Sequence, residues 1–174
     1  MSARAGAFVA GLFVLVAAGC GGSSSAAKPH SSTQEPARTS DATGAAVLDD
    51  AARKALRQNY TLSLYVLWHN ELPAWARQST RGPALAGLRS SAEGRKKRGI
   101  HIRVLDRKFT IVALKLDPSY TRATATVQSR QHVRPYRSSH PLGQATKLDE
   151  RAHIELRRID NTSRLIVWKV ELLK

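Results

Sequence analysis

Of the 174 residues, 28 are Lys or Arg and 13 are Asp or Glu, a formal charge of +15, with 42% apolar content and a single cysteine. One cysteine excludes an intrachain disulfide framework, a CxxC redox pair and cysteine-rich zinc modules. The apolar content is enough for one globular domain around one core.

Arg4 precedes an uncharged stretch that lasts to Ala27 and has its apolar centre at residues 8–18. A charged start, a short apolar centre and small residues beyond it have the form of a secretory leader. The centre is shorter than the roughly 20 residues a membrane-spanning helix needs. Val16-Ala17-Ala18-Gly19-Cys20 resembles a bacterial lipobox, with Ala17 where that motif usually carries Leu. The resemblance implies a signal peptide at 1–19, lipidation of Cys20, and an extracytoplasmic protein held to the membrane of the cell envelope by its acyl chains. Residues 20–43 are dominated by Ser, Thr, Ala, Gly and Pro, with no large aliphatic side chain. Such a stretch cannot bury enough apolar surface to offset its ordering entropy, so a disordered tether is expected there and a folded domain at 44–174.

Between Ala45 and Leu72 there is no Gly or Pro, and Leu48, Ala52, Leu56, Tyr60, Leu64, Trp68 and Leu72 recur at every fourth position. This spacing predicts a long amphipathic helix ended near Leu72 by Pro73. Strand-like alternation at Tyr60, Leu62, Leu64, Val66 and Trp68 competes with it, but no turn signal divides the segment. Trp75 falls in a short second turn. Pro83 suits a first helical position and Gly99 the residue past a helix end, which predicts a second helix over 83–98.

Beyond Gly99 the apolar period falls to two. Residues 100–105 and 109–114 read as two runs separated by Asp106-Arg107-Lys108, Asp117-Pro118-Ser119 as a turn, and 123–128 as a strand with Ala123, Ala125 and Val127 inward. Residues 134–143 hold two prolines and read as a long loop. Ala152, Ile154 and Leu156 mark the buried side of a further strand, Asp160-Asn161-Thr162-Ser163 a hairpin, and Ile166, Trp168, Val170 and Leu172 the buried side of a closing strand. Helices first and antiparallel strands second predict an α+β fold, with N-terminal helices packed on a curved antiparallel sheet.

Residues 85–99, Tyr120-Thr121-Arg122-Ala123-Thr124-Ala125-Thr126-Val127 and 152–168 within this order resemble the nuclear-transport-factor-2-like (NTF2-like, SnoaL-like) superfamily. Within it, the similarity is to actinobacterial lipoproteins that carry such a domain behind a lipobox. The resemblance covers about residues 44–174 and implies a cone-shaped domain whose helix and sheet enclose an apolar pocket. It transfers no catalytic residue. Some relatives are isomerases or dehydratases of hydrophobic small molecules, and many bind or dimerise without catalysis, often through the exposed sheet face, which corresponds here to Leu165 and Val167.

Searching for chemistry directly finds no GxSxG, GxGxxG, GxxxxGK[ST] or HExxH, so hydrolase, dinucleotide and nucleotide-phosphate readings have no support. No cofactor, metal or catalytic residue is expected. His153 and Glu155 share a strand face but lack further ligands. Tyr60, Tyr65, Trp68, His69 and Trp75 are the candidate lining of an apolar pocket, against core packing as the alternative. Arg95, Lys96, Lys97 and Arg98 close the second helix, where cations complement its macrodipole. With Arg130, Arg134 and Arg137 around Tyr136 they are also the candidate contacts for a polyanion. Three functions follow: a non-catalytic envelope lipoprotein binding a small apolar ligand or a protein partner, an isomerase- or dehydratase-like enzyme, and a basic module for anionic lipid or wall polymer. A homodimer is compatible with each, and nucleic acid is not an expected partner outside the cytoplasm.

Overall fold

A computed structural model describes residues 39–159 and 162–173, with burial described from residue 44 onward. The leader, Cys20 and the tether up to residue 38 lie outside the described residues, as do Asp160 and Asn161 of the expected hairpin. The chain is an α+β fold: α1 (Thr39–His69), a 3₁₀ turn (Ala74–Gln78) and α2 (Gly82–Lys97) precede β1 (Ile100–Leu116), β2 (Arg122–Arg137), β3 (His140–Pro141), β4 (Thr146–Arg158) and β5 (Leu165–Leu173). The strands form one antiparallel sheet in the order β1-β2-β4-β5, with the two-residue β3 paired to the end of β2. Among the described residues no helix is long and apolar enough to cross a membrane.

α1 begins five residues before the expected boundary and runs unbroken through the segment that also alternates like a strand. Its buried stripe is Leu48, Ala52, Ala55, Leu56, Asn59, Leu62, Ser63, Val66 and Leu67, not the strict every-fourth-residue ladder. Each step of four overshoots a full turn by about 40°, so five steps from Leu48 to Trp68 rotate by about 200°. Trp68 accordingly ends 42% exposed. The first half of α1 packs on the sheet with Ala125, Ile154, Leu156 and Val167, while Leu62 and Val66 pack with Ala76 and Ala92 against the 3₁₀ turn and α2. Asn70, at φ 54°, ends the helix earlier than Pro73 would, its N–H returning to the Val66 carbonyl. Gly99, at φ 63°, ends α2 as expected.

Three strand expectations change. The two runs at 100–105 and 109–114 are one strand, because register shifts at Leu105 and Val112 absorb the interruption. The expected long loop at 134–143 is the end of β2, a tight turn with Ser138 at φ 53°, and β3. Pro135 is tolerated there because its carbonyl, and hence its donorless nitrogen, faces the short β3 side, where Leu142 N–H donates to it at 2.8 Å. In β5 a register shift leaves Trp168 unpaired between Val167 and Lys169. Leu165 and Val167 before the bulge and the partly buried Val170 and Leu172 after it join the sheet core; Ile166 is buried as expected, at 3% exposure, but outside that cluster, and Trp168 is only half-buried, so there is no single alternating row from Ile166. Leu165 and Val167, at 3% and 0% exposure, are core residues and are not available as an exposed pairing face.

The β5 edge is covered at Val167. Thr80 forms a parallel bridge to Val167, with Arg81 N–H donating to the Val167 carbonyl and Val167 N–H to the Ser79 carbonyl. Trp168 lies against Gly82, and the Arg157 guanidinium sits 4.3 Å above its ring.

Candidate functional site

The five aromatic and histidine candidates surround α1 in three groups rather than converging on one cavity. Tyr60 turns to the sheet, stacking on Phe109 at 4.5 Å. Its hydroxyl accepts a hydrogen bond from Gln131 Nε2 at 3.3 Å, and the same nitrogen donates to Ser129 Oγ at 2.7 Å. Ser129 and Gln131 are buried, and Gln131 Oε1 has no hydrogen-bond partner. Exchanging the two ends of the amide does not resolve this, since one end stays unpaired either way. Tyr65, His69 and Trp75 form the second group, with Tyr65 stacked on His69 at 4.1 Å and edge-on to Trp75 at 6.3 Å. The Tyr65 hydroxyl donates to Glu71, and partial desolvation followed by that bond raises its pKa. Trp75 opens instead on a surface groove of about 710 Å³ bordered by Lys54, Arg57 and Gln58 on the outer side of α1. Trp68 makes the third group, meeting His101 edge-on at 4.5 Å and Tyr136 at 6.3 Å, while His101 and Tyr136 stack at 5.8 Å.

The basic candidates also divide. Arg95 points inward: it is 8% exposed and donates to the Val66 carbonyl at 2.9 Å, Asn70 Oδ1 at 2.9 Å and Ser91 Oγ. Burial, then the charge of Arg98, lowers its pKa. Arg95 thus joins α1 to α2 and is not part of the exposed basic surface formed by its neighbours. Arg130 is held by Asp149 at 2.9 Å. Lys96, Lys97 and Arg98 are exposed beside the start of β1, and register carries Arg134 and Arg137 to that same end, opposite Arg103 and Ile100. The fold therefore gathers two basic runs that lie far apart in the sequence around Trp68, His101 and Tyr136.

His153 and Glu155 line a depression of about 530 Å³ on the outer sheet face with Lys115, Arg122, Arg157 and Lys169. Glu155 pairs with Arg157 at 2.8 Å and Glu171 with Lys169 at 2.6 Å, so cations already occupy the carboxylates. Among the described residues no three His, Cys, Asp or Glu side chains stand close enough to hold a metal ion.

Sequence reasoning missed Ser129 and Gln131, although they continue the inward parity of Ala123, Ala125 and Val127. Polar residues at inward positions of a strand were the available signal. Arg103 was missed because its importance depends on which residue β2 places opposite it.

No protein-family model matches the chain, and no curated protein matches it. Its fold is similar to that in the crystal structure of the intermembrane space region of chloroplast protein ARC6, with a TM-score of 0.58 over 71% of this chain and 95% of that one. At 11% identity this likeness extends to the fold alone: helices packed on one antiparallel sheet.

Proposed function

We propose that the chain is a lipid-anchored envelope protein of the actinobacterial type, attached through Cys20, whose NTF2-like domain is a non-catalytic module for a small, mainly apolar ligand. Supporting the family reading are the long first helix, the short helical turn, a second helix ending at Gly99 and the four-strand meander that follows. One observation carries the ligand reading. The Gln131 amide, buried between α1 and the sheet beside Tyr60, Phe109 and Ser129, keeps one end unpaired. A buried amide group without a partner costs about 1–3 kcal/mol, which a ligand bearing one hydroxyl or amide on an apolar body recovers. Among the described residues, Arg53, Tyr65, Arg95, Asp117, Asp149 and Glu171 have shifted pKa values, each explained by its own surface or structural contacts. None of these contacts involves Gln131, and no catalytic residue is assigned.

The test is thermal stabilisation of the full-length protein by 1-decanol against decane. Decanol stabilises more, and Gln131→Leu removes the difference between the two. Equal stabilisation of the wild type by both compounds contradicts the reading.

A further inference from the structure

Three pairs of cations lie directly opposite one another across adjacent strands: Lys108 with Arg130, Arg122 with Arg157, and Arg103 with Arg134. Directly opposed residues have Cα atoms only about 4.5–5.5 Å apart, and like charges there are destabilising. In the first pair Asp149 neutralises Arg130, and in the second Glu155 neutralises Arg157, while Arg122 also lies near Asp117. The third pair has no carboxylate partner among the described residues. Asp106, the nearest acid along β1, lies opposite His132, and its carboxylate accepts the Arg107 amide. Arg134 Nε is moreover buried with no hydrogen-bond partner. Two arginines thus stand directly opposite each other across β1 and β2, one of them with a buried donor that is unpaired.

The neighbours narrow the anion's chemistry. The next pair along the strands is His101 with Tyr136, and Trp68, 42% exposed, meets both rings. Lys96, Lys97, Arg98 and Arg137 are exposed at the same end, where Glu71 and Glu93 are the acids of the adjoining helix ends. Guanidinium pairs match the oxygens of a phosphate, and Trp and Tyr rings with surrounding Lys and Arg are the side chains that settle at a lipid headgroup layer.

The geometry points to Arg103 and Arg134 as a phosphate site for the headgroup of an anionic phospholipid, with Trp68 and Tyr136 contacting the headgroup–glycerol region. This inference does not depend on the ligand reading at Gln131. It is compatible with an anchor at Cys20, because the 18 residues before Thr39 span at most about 60 Å when extended, more than the roughly 45 Å length of α1.

The test titrates full-length protein in uncharged maltoside micelles with dihexanoyl phosphatidylglycerol, dihexanoyl phosphatidylcholine, inorganic phosphate and a soluble polyphosphate, following binding calorimetrically. Phosphatidylglycerol binds at least tenfold more tightly than phosphatidylcholine or phosphate. Arg103→Gln or Arg134→Gln lowers that affinity tenfold or more, Arg134→Lys lowers it less, and Lys54→Gln on α1 leaves it unchanged. Arg103→Gln also raises the melting temperature of the ligand-free protein by relieving the charge opposition, a gain that a merely structural arginine does not give on removal. Unchanged affinity in both glutamine variants overturns the proposal. Equal binding of phosphatidylcholine, or binding of phosphate or polyphosphate as tight as that of phosphatidylglycerol, overturns the lipid assignment.

Discussion

Arg95 carries its charge into the junction of α1 and α2 and is satisfied there by neutral acceptors: a helix carbonyl, an asparagine oxygen and a serine hydroxyl. The Val66 carbonyl stands at the C-terminal end of α1, where the partial negative charge of the helix favours a cation. Arg95→Met leaves those acceptors unpaired and destabilises the fold by about 2–3 kcal/mol, and Arg95→Lys recovers only part because it lacks the fork. Urea unfolding of the two variants measures both effects, and an Arg95→Met loss no larger than that of Lys96→Met removes the junction role. Gly82 makes a second residue-scale case. Its φ is +55°, and a Cβ there would stand 2.8 Å from the Trp168 ring, so Gly82→Ala strains the backbone and displaces the ring. A loss of about 1–3 kcal/mol in thermal unfolding is expected, together with weaker protection of the Val167 amide, which bonds to Ser79. An unchanged melting temperature contradicts this contact.

At the scale of elements, three carboxylates fix a turn, a strand pair and a strand edge. Asp117 closes the β1–β2 turn through the Ser119 amide and hydroxyl, Asp149 joins β4 to Gln128 and Arg130 of β2, and Glu171 pairs with Lys169 along β5. Each has a folded pKa below its ordinary value, caused first by the Ser119 backbone bond, the Gln128 bond and the Lys169 bond respectively. A depressed carboxylate pKa means that the unfolded chain takes up the proton first, so the stabilisation is complete above the ordinary pKa and is lost as pH falls through the folded one. The melting temperature should therefore fall below about pH 4, and Asp149→Asn should flatten that fall by lowering the melting temperature modestly at pH 7, where the carboxylate is ionised and bonded, while changing little in acid. An identical acid profile in the variant refutes the assignment. The two helices and the succession of helices before antiparallel strands were legible because their signals are local: an uninterrupted apolar stripe, Pro83, Gly99 and the alternation from Ala123 to Val127. The bulges at Leu105, Val112 and Trp168 were not, since a bulge is defined by the facing strand. One extra residue in β5 turned Leu165 and Val167 inward and Trp168 onto Gly82.

Over the whole molecule, the sheet gives its inner side to one core and leaves ion pairs on the other, while the ends of α1, α2, β1 and β2 assemble a basic, aromatic extremity. Little of this gathering was legible in the sequence. The run Arg95-Lys96-Lys97-Arg98 looked like one object, yet its first member faces inward, and the partner that gives Arg134 its meaning, Arg103, is fixed only by strand register. Likewise the aromatic candidates were spaced as one stripe, but helical rotation sends Tyr60 to the sheet, Tyr65 to the 3₁₀ turn and Trp68 to solvent. The polar pair Ser129 and Gln131, hidden within a strand pattern, became the feature that carries the ligand reading. Native mass spectrometry of the full-length protein, extracted gently from its source membrane, tests that reading most directly. The account predicts the mass of a chain beginning at acylated Cys20 plus one bound small molecule, with the added mass lost in Gln131→Leu. A ligand-free wild-type protein, or an added mass that Gln131→Leu retains, would contradict it.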